Sequence, residues 1–170
     1  MISQKVVLTA AHCVVNDIGK VYAADRFRFI FGSVDLDALT GKENLREVEK
    51  IVRHSDYVND KILKQDIALM TIKGNLQFSS NVIPICIFQS HTTITNHINE
   101  RVTVLGFGAN SESRLPSAEL NYGTMSIISR QQCIESHLIF GLLPEQSAFC
   151  AKSVNDMIAC PGDSGGERWM

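Results

Sequence analysis

The sequence predicts a mostly β protein, a sandwich or a set of barrels with little helix. Short segments alternate or run apolar between Gly, Asn, Ser and Asp, long polar stretches separate them, and no βαβ rhythm points to a parallel sheet. With 170 residues, 45% hydrophobic and 20% charged, the chain is long enough to bury a sizeable core as one domain or two small ones.

The elements follow in order. "KVVLT" (Lys5 to Thr9) is the first strand candidate. In "RFRFIFG", Phe27, Phe29 and Phe31 are two apart with Arg26 and Arg28 between or before them, the period of a strand buried on one face. "VEKIVRH" (Val48 to His54), "DIALMTI" (Asp66 to Ile72), "RVTVLGFG" (Arg101 to Gly108) and "GTMSIIS" (Gly123 to Ser129) complete the strand set. The helical segment is "RQQCIESHL" (Arg130 to Leu138): Ser129 is placed to cap it, Cys133 and His137 fall four apart on one face, and Gly141 follows its end. Asp35 to Asn44 and Asn110 to Glu119 are polar and are expected as surface loops.

Charge narrows the function classes. Sixteen basic against eighteen acidic residues, net charge -2, leave neither a nucleic-acid footprint nor a polybasic membrane surface. No apolar run reaches the roughly 18 residues of a membrane span, and the opening Met-Ile-Ser-Gln-Lys lacks a secretory signal, which by itself would place the chain in the cytosol. Five cysteines without a CxxC pair oppose that placement, since this usage belongs to disulfide-bonded proteins. The odd count leaves at least one without an intrachain partner.

The chemistry concentrates in three short stretches. "GDSGG" (Gly162 to Gly166) holds a serine between glycines and matches both the nucleophile elbow of α/β-hydrolases and a second serine-hydrolase pattern. Chain order separates the two, because an α/β-hydrolase needs a histidine after its serine and none follows Ser164. Upstream lie "VLTAAHCV" (Val7 to Val14) and "QDIALMTI" (Gln65 to Ile72), an order of histidine, acid, serine at positions 12, 66 and 164. In TAAHC, DIAL and GDSGG the chain resembles the chymotrypsin-type serine peptidases.

That resemblance implies two antiparallel six-stranded barrels with the active site between them, here as a partial domain with residues 1–90 in the first barrel and 100–170 in an incomplete second. It implies an endopeptidase in which Ser164 attacks the peptide carbonyl, His12 takes and returns the proton, and Asp66 holds the imidazole in the right tautomer. The backbone N–H groups of Gly162 and Ser164 form the oxyanion hole, and Asp163 is the carboxylate that meets the freed N-terminal amine on zymogen activation. No cofactor or metal is called for. Ile158 stands six before the serine, where trypsin-like members carry an aspartate, so an apolar floor replaces the partner of a basic substrate side chain.

By the same resemblance Cys133 pairs with Cys150, Cys13 and Cys160 pair outside residues 1–170, and Cys86 ties the domain to an upstream pro-region or light chain. These cysteines imply a secreted protein acting on protein or peptide substrates, with neither nucleic acid nor membrane as partner. The family's first strands, final strands and terminal helix are not matched, and "ERWM" does not resemble the apolar strand that usually follows. The sequence therefore leads to the expectation of open barrel edges, an Asp163 lacking its amine, and no labelling at Ser164 by the 170 residues alone. A non-catalytic protease-like regulatory or binding module is the rival reading, and a metal protein using His12 and Cys13 a third.

Overall fold

The apolar runs pair into two antiparallel four-stranded sheets, one in each of two units, Met1–Gln89 and Ser90–Met170. The structure is a computed structural model and describes residues 1–40, 44–59, 64–87, 97–109, 115–143, 148–155, 161–166 and 168–169.

The first sheet has the order β1 (Val6–Thr9), β4 (Ala68–Ile72), β3 (Asn44–Arg53), β2 (Arg28–Phe31). In β4, Ala68, Met70 and Ile72 are buried while Leu69 between them is exposed, so the apolar run is sorted by the period of two. β2 follows the sequence pattern, with Phe29 and Phe31 half-buried and Arg28 and Ile30 exposed. Val14, Val48, Ile72 and Leu76, each at most 2% exposed, form the centre of the core, and Phe27, Phe29 and Phe31 pack against it.

β3 is longer than the sequence suggests, starting at Asn44 instead of Val48. Its first part, Asn44 to Glu47, pairs with β2, and its second, Val48 to Arg53, pairs with β4 after a register shift between Val48 and Lys50. One strand thus serves two neighbours by bending at a bulge. The polar start "NLRE" carries no burial signal because Leu45 is itself exposed.

The second sheet has the order β7 (Cys150–Ser153), β6 (Asn121–Ile128), β5 (Arg101–Gly106), β8 (Arg168–Trp169). Val102 and Ile127 are its fully buried residues among those described. In "ERWM", Arg168 and Trp169 pair with Val104 and Thr103. A ladder of backbone hydrogen bonds needs no apolar run when only two residues are involved.

The helix α1 spans Arg130–Ser136 and starts as predicted. The Ser129 hydroxyl accepts from the Gln132 N–H at 3.2 Å, and the Ser129 N–H donates to Gln132 Oε1 at 3.0 Å, closing a capping box. It ends two residues before Leu138. His137 is extended (φ -163°) and its Nδ1 accepts from the Ile139 N–H, opening a separate 3₁₀ turn, Leu138–Leu142, that contains Gly141. Cys133 and His137 therefore do not share a helical face. The Cys133–Cys150 disulfide joins α1 to β7, with Cα atoms 6.0 Å apart.

Candidate active site

The register of β1 on β4 explains how two residues 54 apart in sequence meet. Thr9 lies opposite Ala68, so the chain leaving β1 runs beside the chain entering β4, with His12 three residues beyond one end and Asp66 two before the other. Residues Ala11–Val14 then wind into a 3₁₀ turn that buries Ala11 and Val14 and leaves His12 half-exposed. Ala11 is fully buried and Ala68 is 2% exposed, and small side chains there let the two segments approach.

Asp66 grips His12 at two points. Its Oδ1 accepts the His12 backbone N–H at 2.8 Å, and its Oδ2 lies 2.7 Å from His12 Nδ1. With Nδ1–H donating to the carboxylate, the neutral ring presents Nε2 as an acceptor. The backbone bond fixes the carboxylate's orientation before the ring engages it. Gln65, just before Asp66, has φ 53° and accepts the Ile67 N–H at 2.7 Å, a tight turn that the sequence does not announce because Gln is not a usual left-handed residue.

Cys13 Sγ lies 3.5 Å from His12 Nε2, a contact that motif reading does not foresee. Burial pushes the thiol above its ordinary value of 9.0, the Asp66 charge pushes it further the same way, and a hydrogen bond with the Thr9 side chain opposes both.

In the second unit, Gly162 to Gly166 fold over the end of β5. Ala109 N–H donates to Pro161 O at 2.9 Å, Gly166 N–H donates to Asp163 O at 3.0 Å, and Gly108 N–H donates to Asp163 Oδ1 at 2.8 Å. A Cβ at Gly106 or Gly108 would overlap the Asp163 carboxylate, and one at Gly162 would lie 3.0 Å from Gly108 Cα. Gly162 also has φ 103°, a conformation that side chains disfavour. The Asp163 carboxylate thus rests on a backbone N–H in a bed of glycines. Ser164, beside it, is exposed.

His12 and Asp66 are brought together in the first unit, and Gly162, Asp163 and Ser164 in the second. Ile158, expected as the pocket floor, and Cys160 lie outside the described residues. Cys13 is half-buried and Cys86 exposed. Among the described residues no three His, Cys, Asp or Glu side chains converge as a metal requires, and no helix is long and apolar enough to cross a membrane. Gly106 and Gly108 are the contributors that motif reading passes over, although the spacing in "GFG" hints at them.

The profile of the trypsin family matches residues 1–167. The chain belongs to the trypsin family. It is similar to trypsin-1 of Astacus astacus, 30% identical over 161 residues that cover 94% of this chain and 64% of that protein. Phenoloxidase-activating factor 1 of Holotrichia diomphalia is 25% identical over 178 residues, 98% of this chain and 48% of that protein. This trypsin-family chain thus spans between about half and two thirds of the length of these relatives. Among solved structures it resembles neuropsin, a serine protease expressed in the limbic system of mouse brain, with a TM-score of 0.77 at 22% identity over 99% of this chain and 69% of that one. The fold is therefore the chymotrypsin-like one, with curled antiparallel sheets and, among the described residues, one α-helix.

Proposed function

We propose that the protein is a serine endopeptidase whose triad is His12, Asp66 and Ser164. The two-point hold of Asp66 on His12 carries this reading, because it prepares one tautomer with Nε2 ready to accept a proton. Ser164 Oγ forms a bond to the peptide carbonyl carbon as its proton passes to His12 Nε2, and the imidazolium returns that proton to the leaving amine. Water then repeats the sequence on the acyl-enzyme. The N–H groups of Gly162 and Ser164 stabilise the developing oxyanion, each worth about 10²–10³ in turnover.

Asp163 is the carboxylate whose partners decide the shape of that oxyanion loop, and its docking on Gly106 and Gly108 supports such a role. Ile158 as pocket floor disfavours cleavage after Lys or Arg, since a buried cation would meet no counter-charge. The Cys133–Cys150 disulfide supports an extracellular setting. The exposure of Cys86 supports a link from the domain to a pro-region or light chain. Peptides and proteins are the substrates.

The test is labelling by a fluorophosphonate, followed by peptide mapping, on the protein as its source makes it. Labelling at Ser164 that vanishes in Ser164→Ala is the expected result. A folded, processed protein that takes no label would favour the non-catalytic binding module.

A further inference from the structure

We propose that Asn59 is a positioning residue for the general base: its side-chain amide clasps the loop that follows His12 to the segment that leads to Asp66. The clasp steadies the pair from the side that β1 does not reach. The inference rests on the reading of His12 as the general base.

The loop after His12 is built around another asparagine. Val15 and Val21 pair across its base, Tyr22 N–H donates to Val14 O at 2.9 Å, and Asn16 N–H donates to Lys20 O at 2.9 Å. Asn16 Oδ1 accepts the N–H groups of Ile18 at 3.2 Å and Lys20 at 2.9 Å, and Gly19, with φ 74°, turns the chain. These bonds are internal to the loop, so they stiffen it without fixing where it lies. Asn59 fixes it from outside: its Nδ2 donates to Asp17 O at 3.1 Å and to Asn16 O at 3.4 Å.

The Asn59 amide is itself aimed. Tyr57 Oη donates to Asn59 Oδ1 at 3.0 Å, which points the amide oxygen at the phenol and leaves the NH₂ group for the loop. Tyr57 is 6% exposed, and Arg53, the last residue of β3, holds it twice. The guanidinium carbon lies 5.9 Å from the ring centroid, and Nη1 donates to Tyr57 O at 3.2 Å.

The segment that carries Asn59 also delivers Asp66. Val58 N–H donates to Lys64 O at 3.2 Å and His54 N–H to Ile67 O at 2.9 Å. Between them stands Gln65, whose φ of 53° persists only where its surroundings hold it. The His12 turn is therefore flanked twice by the chain that bears its partner. Thr9 lies opposite Ala68 on one side, and Asn59 meets Asn16 and Asp17 on the other. With both flanks fixed, Asp66 can hold the His12 N–H and the ring together. Released on one flank, the turn is free to swing, and a shift of about 1 Å is enough to spoil a general base.

The clasp can be read without any proteolysis. Asn59→Asp keeps the acceptor for Tyr57 and removes both donors. In the protein as its source makes it, this variant is expected to quicken hydrogen exchange at the His12 backbone N–H by about tenfold. It should also move the His12 Nδ1–H proton resonance upfield, as the bond to Asp66 loosens. A folded variant with both signals unchanged overturns the proposal. So does exchange that quickens equally at the strand amides of Val48 and Ile72, which would mark a general loss of stability. If Asn59→Asp does not fold, Tyr57→Phe keeps the ring and removes the hydroxyl that aims the amide. The same two signals should move by a smaller amount, and unmoved signals overturn the proposal. In protein that labels at Ser164, Asn59→Asp is expected to lower kcat by about threefold to tenfold with KM little changed. An unchanged kcat, or a change confined to KM, overturns the positioning role. Loosened His12 signals in a protein that never labels would instead count against the serine-peptidase reading and leave the clasp standing.

Discussion

The His12–Asp66 pair and the Gly162–Gly166 strap are built by opposite means. The first depends on side chains that are present: a carboxylate with one oxygen on a backbone N–H and the other on an imidazole, brought together by the register of β1 on β4. The second depends on side chains that are missing, since the Asp163 carboxylate and Gly162 fit only where Gly106 and Gly108 leave room. A site made of side chains can be emptied without moving the backbone. A site made of absences is disturbed by the smallest addition.

Asp66→Asn should break the comparison most sharply. The amide can still accept the His12 backbone N–H through its oxygen, but its NH₂ group then faces Nδ1 and cannot accept from it, so the ring is pushed to the wrong tautomer. Turnover, measured on a peptide ester, is expected to fall by about 10⁴, the size of loss that the wrong tautomer brings in a Ser-His-Asp triad, while the thermal midpoint changes little.

Gly108→Ala tests the strap from the other side. The new methyl overlaps the Asp163 carboxylate, so the carboxylate or the loop that carries it must shift. A loss of about 1–3 kcal/mol in the unfolding free energy is expected, together with weakened labelling at Ser164. Full stability would mean that the carboxylate is not held on Gly108 in solution.

The smallest effect concerns pH. Lys73 Nζ donates to Glu47 at 2.7 Å, and this bond and the lysine's charge hold the Glu47 carboxyl below its ordinary value. The small stabilising contribution is present above the ordinary carboxylate range and is lost as pH falls through the lowered value. Denaturant midpoints measured across acid pH should therefore fall slightly less steeply in Lys73→Ala than in the parent.

Much of this was legible in the residues. The Phe27, Phe29, Phe31 alternation, the "DIALMTI" run and Ser129 before the helix each state a local structure in local terms, and the structure follows them. The helix end was not legible. His137 fits a helical spacing, yet its ring caps the next turn and the helix stops at Ser136. β3 was read short because its first part is stabilised by pairing with β2 and not by burial of its own side chains. Arg168 and Trp169 join a sheet for the same reason.

The sequence by itself determined the family and the order of histidine, acid and serine, because short motifs with fixed chemistry need no coordinates to be read, and the resemblance then implied the cysteine pair. Only the tertiary structure decided what those residues touch. The double hold of Asp66 on His12, the Cys13 sulfur on Nε2 and the glycine bed beneath Asp163 each join segments through strand register or close backbone approach. Such distances arise from how the chain packs, and spacing along it does not encode them.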